Sequence, residues 1–196
     1  MSAWSQGTLG GTGWSGADFE RQPCGSGYGF AEDVVSSWRG VGVTELVQQV
    51  TFDADIGYHS FCLQESDDAD LPVPYPDDTV FGQFLTAFPG RIDIFSAGHT
   101  HTAAVTAEVW DGRPPEEDPE RWDEYGECEY VSTSGVVAVW SMSLGRTEHS
   151  VTLSDSGGTW RVQVYSVGRA EAERLSAETG TAEGVERYLV RFWRAA

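Results

Sequence analysis

The sequence is poor in positive charge and contains no lysine. Its twelve basic residues are all arginines, against 31 acidic residues, which gives a formal net charge of −19. A protein that follows nucleic-acid phosphates needs a basic stripe, so this composition excludes direct nucleic-acid binding. We attribute the absence of lysine to genome composition rather than to chemistry.

Long hydrophobic runs are also missing. No stretch approaches the roughly 20 apolar residues of a membrane span. Residues 1–16 lack the basic start and the apolar run of a secretory signal. We therefore expect a cytoplasmic protein with no membrane association.

Cysteine is scarce, with Cys24, Cys62 and Cys128 far apart in the chain. Three is an odd number, and no C-x-x-C pair is present. The sequence therefore indicates neither a disulfide framework nor a zinc knuckle. We expect buried free thiols, as in a reducing compartment.

Apolar residues are abundant by contrast, at 40% of the chain, and eight tryptophans are among them. This composition predicts a folded protein, and 196 residues suggest one domain or one domain with an appendage. Ten glycines interrupt residues 1–45. We interpret this region as an N-terminal extension that packs through its aromatic side chains, with one short helix at residues 30–38. Residues 46–196 then form the main domain.

Apolar and polar residues alternate with a period of two in much of the main domain, as in strands with one buried face. Ala103, Val105, Ala107 and Val109 are one such series. Two further segments, 79–88 and 169–179, have helical character, and Pro89 would end the first. We predict a mostly β fold, an antiparallel β-sandwich of eight or nine short strands with one to three short helices. The predicted strands are 50–55, 58–64, 91–96, 102–110, 125–132, 136–142, 149–153, 160–167 and 187–193.

His99 and His101 form an H-x-H motif, which on a strand would direct both imidazoles to the same side and suit a metal ion. Their register matches that of Ala103 and Val105, at the rim of the buried face. The cupin motif has a glutamate four or five positions later, and this chain has Val105 and Thr106 there. A histidine pair with a structural role is therefore the favoured interpretation, with a metal site at His99 and His101 as the alternative.

Other sequence motifs give no support for an enzyme. Gly11, Gly13 and Gly16 spell G-x-G-x-x-G, but neither the preceding strand nor the following helix of a dinucleotide site is predicted. The G-x-S-x-G, Walker A and E-x-x-H patterns are missing from the sequence. We therefore predict a non-enzymatic protein that requires no cofactor.

Acidic residues are concentrated in two segments. Residues 40–90 contain nine acidic residues and no basic one, and residues 111–130 contain nine against Arg113 and Arg121. Such segments form either a solvated surface or a face that attracts a basic protein.

The order of features from residue 58 to residue 193 resembles the competence protein J family, inhibitors of DNA-entry nucleases, and related actinobacterial proteins. Between these features lie an acidic loop, a short helix and a Pro-rich loop. The family's Leu-Pro-x-Gly-x-Tyr turn is loosened here to residues 153–160. The matching residues are Tyr58-His59-Ser60-Phe61, Gly90-Arg91-Ile92-Asp93-Ile94, Val105 to Val109, Trp122, Gly135-Val136-Val137-Ala138-Val139, Trp160-Arg161-Val162-Gln163-Val164, Glu186-Arg187-Tyr188-Leu189 and Phe192-Trp193.

The resemblance implies a β fold and a protein that inhibits or neutralises a basic partner, a nuclease in particular, or acts as an immunity protein. Acidic loops would speed association, and an aromatic anchor would add affinity. One alternative is a small-ligand or metal-binding β-sandwich that uses His99 and His101, and another is an acidic structural or assembly protein. The oligomeric state stays open. The candidate partner contacts are Asp67, Asp68, Asp70, Trp110, Glu116, Glu117, Asp118 and Trp122.

Overall fold

A computed structural model describes residues 43–66, 75–77 and 79–196. This part of the chain is mostly β, with one α-helix and a mixed sheet that is nearly closed into a barrel-like shape. The predicted helix at residues 30–38 lies outside the described residues. The ten strands in these ranges are β1 (Leu46–Gly57), β2 (Ser60–Glu65), β3 (Leu85–Phe88), β4 (Arg91–Phe95), β5 (Thr100–Trp110), β6 (Glu124–Ser132), β7 (Val136–Ser141), β8 (Gly145–Thr152), β9 (Gly158–Val167) and β10 (Arg187–Arg194).

The alternation in the sequence sets which side chains point inward. In β1, Phe52 and Ala54 are buried, while Thr51 and Asp53 are exposed. All four predicted core residues of β5 are also buried. The interpretation of these segments as strands with one buried face is confirmed.

A tight hairpin joins β1 to β2. Its two central residues, Tyr58 and His59, have φ values of 54° and 66°. Two consecutive positive φ values are typical of the type I′ turn, whose twist matches that of the flanking strands. The two strands pair only at Gly57 and Ser60, beside the turn.

This limited pairing divides the sheet into two portions, because β2 then pairs with β4 and β7 while β1 pairs with β5. The first portion has the order β3-β4-β2-β7-β8, and the second has the order β1-β5-β10-β9-β6. Side chains from both portions form the core. It includes Phe61, Ile92 and Val137 from the first portion and Val105, Val162 and Val190 from the second.

The two portions also approach each other at β3 and β6. The amide of Gly90 donates to the carbonyl of Val131 at 3.3 Å. At Gly126 of β6, an added Cβ would lie only 2.9 Å from Cβ of Leu85 in β3. The lack of a side chain at Gly126 therefore permits the close approach that nearly closes the barrel.

Pairing is not antiparallel throughout, which corrects the predicted antiparallel sandwich. Strand β10 runs parallel to β5, from Arg187 beside Ala104 to Trp193 beside Trp110. Parallel and antiparallel strands share the same two-residue period, so alternation alone does not distinguish them.

The predicted helix at 79–88 is wrong, because its last four residues form β3. Leu85 pairs with Ile94 and Phe88 with Arg91, across a turn in which Gly90 has a φ of 76°. Pairing with a neighbouring strand outweighs the local helical tendency here. This strand is the tenth, beyond the nine that the alternation indicated.

The predicted helix at 169–179 is confirmed as α1 (Arg169–Thr179), which ends at Gly180 in the left-handed conformation. Within the described ranges, no helix has both the length and the apolar character needed to cross a membrane.

The cysteines that the structure describes are free. Cys62 is buried and Cys128 is half-buried, and desolvation by burial raises the pKa of each thiol to about 12. Cys24 lies outside the described residues.

Two glycines with the same backbone conformation provide a test of the β6–β7 turn. Gly135 has a φ of +82°, and an added Cβ would lie 2.4 Å from the carbonyl oxygen of Ser154. Gly145 has a φ of +79°, with nothing within 4 Å of such a Cβ. We expect Gly145→Ala to lower the free energy of unfolding by about 1 kcal/mol, which is the cost of a side chain on left-handed backbone. Gly135→Ala should lower it by at least about twice that amount, because its Cβ would also clash with the carbonyl oxygen of Ser154. Urea unfolding measures both, and equal losses would contradict the packing described for Gly135.

Candidate protein-binding face

The second portion of the sheet carries a row of polar side chains on its outer surface. Arg191 of β10 lies between Glu108 of β5 and Gln163 of β9. Glu127 of β6 lies on the other side of Gln163. The amide of Gln163 donates to Glu127 at 3.1 Å. Below, this surface is called the loop-covered face, because residues 111–123 fold across it.

Arg191 fastens the loop to the face. Its Nε donates to Glu108 Oε2 at 2.9 Å, its Nη1 donates to the carbonyl of Pro115 at 3.0 Å, and its Nη2 is paired with Glu117. The guanidinium is buried, and a buried cation is tolerated only when carboxylates and hydrogen bonds compensate for lost water. The strand and the loop provide those partners together.

Both ends of the loop are also held. At its start, Asp111 Oδ1 accepts a hydrogen bond from the amide of Glu45 at 2.7 Å. At its end, Asp123 accepts from the amides of Gly168 and Arg169 at 2.7 and 3.0 Å. Gly168 precedes α1 and has no side chain for capping, so Asp123 supplies the carboxylate that the helix N-terminus favours. The acidic loop is therefore anchored at three places.

Three aromatic rings form the centre of the face. Trp122 packs on Tyr165 with ring centroids 5.3 Å apart, and Tyr125 packs on Tyr165 at 4.9 Å. Trp122 Nε1 also lies 3.4 Å from Glu117 Oε2, to which it donates. Beside these rings lies a shallow groove of about 500 Å³, and a second one of about 450 Å³ lies between Trp122 and Arg187.

The structure brings five of the predicted contact residues to this face, although their environments differ. Glu117 is paired with Arg191, Asp118 caps a short 3-10 helix (Pro119–Arg121) through the amide of Glu120, and Trp110 donates to Glu108 at 2.9 Å. Glu116 is exposed and Trp122 is half-buried. The other three, Asp67, Asp68 and Asp70, lie outside the described residues.

Sequence reasoning missed Glu124, Tyr125, Tyr165 and Arg191 as members of this face. The alternation of β9 places Tyr165 on the same side as Gln163, so its outward direction was visible in the sequence. The neighbours of Tyr165 could not be read from the sequence, because Tyr165 contacts Tyr125 through the pairing of β9 with β6.

His99 and His101 lie in different environments. His99 is exposed in the bend before β5, where its Nδ1 is 2.8 Å from Thr100 Oγ1 and its ring contacts His59 at 5.0 Å between centroids. His101 is buried on β5, with Nε2 2.8 Å from Ser96 Oγ. Residues 43–66, 75–77 and 79–196 contain no group of three or more His, Cys, Asp or Glu residues placed to hold a metal ion. The metal site stays a prediction that metal analysis of purified protein would test.

His101 belongs to a buried network around Glu186. Oε2 of Glu186 is 3.3 Å from His101 Nε2 and accepts from Ser96 Oγ at 2.5 Å, while Oε1 accepts from Arg169 Nη1 at 3.0 Å. A hydrolase triad has its carboxylate on the imidazole nitrogen away from the serine. Here Glu186 and Ser96 contact the same nitrogen, and both residues are fully buried. The arrangement is therefore structural and links the residue after β4, strand β5, the residue before β10 and the first residue of α1.

The environment of Glu186 favours its charged form. Burial acts to raise the pKa, but hydrogen bonds with His101 and Ser96 and the charge of Arg169 together lower the pKa to about 2, from an ordinary 4.5. A carboxyl group with a depressed pKa stabilises the fold above the ordinary pKa, and that contribution is lost as the pH falls towards the depressed one.

We therefore expect a pH-dependent difference between the wild type and Glu186→Gln. The wild type should be more stable at pH 6, and this advantage should shrink by roughly 3 kcal/mol between pH 5 and pH 2, since each pKa unit corresponds to about 1.4 kcal/mol. Urea unfolding at several pH values measures it. Glu173→Gln on the exposed side of α1 is the control, and a constant difference for Glu186→Gln would contradict the ionised network.

Replacement of Arg191 should test the anchoring of the loop. Arg191→Met leaves Glu108 and Glu117 without their cation, and breaking a buried pair typically costs about 3–5 kcal/mol. Arg187→Met, an exposed position on the same strand, should cost less than about 1 kcal/mol. Similar unfolding free energies for the two variants would show that Arg191 does not hold the loop on the sheet.

Comparison with known proteins supports the fold. No protein-family model matches the chain, and no curated protein sequence matches it. Among solved structures, ComJ from Bacillus subtilis, an inhibitor of the DNA degrading activity of NucA, has 16% sequence identity and a TM-score of 0.53, over 78% of this chain and 98% of ComJ. The product of crocagin biosynthetic gene J matches with 12% identity and a TM-score of 0.47, over 78% of this chain and 99% of that one.

At this level of identity, the match to ComJ shows a shared fold. The resemblance seen in residues 58–193 is thus supported for the fold, while membership of the competence protein J family stays a prediction.

Proposed function

We propose that this chain is a non-enzymatic binding protein that inhibits a basic protein partner, a nuclease, through its loop-covered face. The observation that carries the proposal is the aromatic centre at Trp122, Tyr125 and Tyr165, bordered by exposed carboxylates on an anchored loop. The fold shared with ComJ, itself a nuclease inhibitor, adds support.

Charge complementarity favours a nuclease as the partner. A nuclease holds phosphates in a basic cleft, and an inhibitor must cover or neutralise that cleft. This chain carries a net charge of −19. On the loop and the adjacent strand, Glu116, Glu120 and Glu124 are exposed and form no ion pair with any described residue. Such charges steer a basic partner towards the face and make association fast and salt-sensitive.

The aromatic centre would supply the affinity that rim charges do not. Tryptophan and tyrosine are enriched among residues that dominate binding energy, especially near the middle of an interface. Tyr125 is 47% exposed although it packs against Tyr165, so contact with a partner would bury apolar ring surface. Glu117 is already paired with Arg191 and therefore acts in the protein rather than on the partner.

Affinity capture from the native lysate at low salt, followed by elution in a salt gradient, tests the function directly. We expect one basic protein to elute at a defined salt concentration and to show nuclease activity that returns on separation and disappears when the chain is added back. If the purified partner keeps its full nuclease activity when this protein is added in excess, inhibition is contradicted.

Charge reversal on the loop-covered face should slow binding. Glu116→Arg with Glu124→Arg should reduce the association rate constant at low salt by at least about tenfold, because electrostatic steering accounts for rate factors of about 10 to 1,000. The matched control is Glu148→Arg with Asp155→Arg, exposed positions on β8 and in the β8–β9 turn that change the net charge equally. Surface plasmon resonance with the captured nuclease measures both.

An equal loss of rate in the two double variants would assign steering to net charge alone. An unchanged rate in the Glu116 and Glu124 variant would remove this face from the interface.

A further inference from the structure

We propose that the groove beside Trp122 binds the guanidinium group of an arginine side chain that the partner inserts. This inference rests on the proposed function and names the partner group that the loop-covered face recognises. The combination of packed aromatic rings and available carboxylates in the lining of one groove carries it.

The groove has the lining that a cationic side chain requires. Trp122, Tyr125 and Tyr165 form an apolar wall, and Tyr165 itself is buried beneath the other two rings. Four carboxylates and one guanidinium are among the described residues that line it. A cation here would meet aromatic ring faces and negative charge together, which strengthens cation–π attraction when water is partly excluded.

Two of the four carboxylates are available for a ligand. Glu117 is held by Arg191, and Asp123 is held by the amides that begin α1. Glu116 and Glu124 are exposed and make no hydrogen bond or ion pair with the described part of the chain through their side chains. The groove therefore offers unpaired negative charge beside its aromatic wall.

The protein binds its own arginines with the same combination of groups. Arg91 donates to Asp93 at 2.8 Å while its guanidinium carbon lies 4.1 Å from the centre of the Tyr75 ring. Arg191 pairs with Glu108 and lies 5.8 Å from the Tyr165 ring. In each case a carboxylate binds the nitrogen atoms and a ring borders the guanidinium.

The basic residue that lines the groove, Arg113, is placed at its rim. Its side chain is 62% exposed, lies 3.9 Å from Glu127 and is 6.0 Å from the Trp193 ring. Arg113 therefore pairs with Glu127, which also accepts a hydrogen bond from the Tyr125 hydroxyl at 2.9 Å, and its charge opposes an incoming cation. Its removal should strengthen binding, which gives the proposal a test by gain as well as by loss.

Arginine fits this groove better than lysine does. A guanidinium group is planar, stacks on aromatic faces and forms paired hydrogen bonds with a carboxylate, whereas an ammonium group is compact and strongly hydrated. The aromatic rings and the two exposed glutamates that line this groove match the planar group.

The proposal is tested with three capped tripeptides, acetyl-Gly-X-Gly-amide, in which X is arginine, lysine or citrulline. Citrulline has nearly the shape of arginine without its charge. Binding to the full chain at low salt is followed by NMR at the indole N–H of Trp122, assigned from its loss in Trp122→Phe. We expect a saturable shift, with the arginine peptide binding at least about threefold tighter than the lysine peptide, in line with modest cation–π energies at exposed sites. No saturation is expected with citrulline.

Variants separate the groove from the rest of the surface. Trp122→Ala and Glu124→Gln should each weaken binding of the arginine peptide at least about threefold, and Arg113→Gln should tighten it. Because Trp122→Ala removes the indole N–H, binding to the variants is followed at the NMR signals of the peptide itself. Phe81→Ala, at an aromatic residue that is 71% exposed and does not line this groove, is the control and should leave binding unchanged. Circular dichroism confirms that each variant is folded.

The outcomes distinguish this inference from the proposed function. Equal binding of the citrulline peptide, or unchanged binding in folded Trp122→Ala, would overturn the arginine pocket even if the chain inhibits a nuclease. Arginine-selective binding at Trp122 would support the pocket even if the captured partner is not a nuclease.

Discussion

The buried guanidinium of Arg191 is the constraint on which the loop-covered face depends. A cation removed from water at the surface of a sheet requires carboxylates close by, and Glu108 from the neighbouring strand and Glu117 from the loop meet that requirement. The need to neutralise Arg191 thereby draws the acidic loop onto the sheet. Trp122 comes with the loop and packs on Tyr165, so one ion-pair cluster positions the carboxylates and the tryptophan of the loop against the sheet.

The same chemistry explains why acidic residues of similar appearance have different roles. Glu117 and Asp123 hold the loop, and Glu186 holds three strands together through a buried network. Glu116 and Glu124 are left for solvent or a partner. A large acidic excess is therefore divided between internal anchors, whose replacement would cost stability, and exposed groups, whose replacement would change recognition. Charge counts along the chain do not separate these two classes, because the partners are distant in sequence.

Sequence reasoning anticipated much of the fold and part of the candidate site. Alternation in β5 and β9 correctly identified which residues face the core and which face outward, and the acidic loop with Trp122 was singled out as a partner surface. The strand at Leu85–Phe88 was missed because its stability comes from pairing with β4 rather than from its own composition. The parallel pairing of β10 with β5 was missed because alternation has the same period in both orientations. Arg191 was missed because a lone arginine in a strand gives no sign that it will be buried.

Properties that depend on near neighbours could be read from the amino-acid sequence: the strand character of most of the main domain, the face on which strand side chains lie, the turns at glycine, and the position and sign of the charges. These follow from local geometry, since side chains of a strand alternate whatever its partners are. The order of the strands in the sheet, by contrast, became known from the three-dimensional fold. That order places Glu108 beside Arg191 and Tyr125 beside Tyr165, and it thereby created the groove. Strand pairing and ion-pair burial depend on the free energy of the whole chain, because each partner is supplied by a segment remote in sequence.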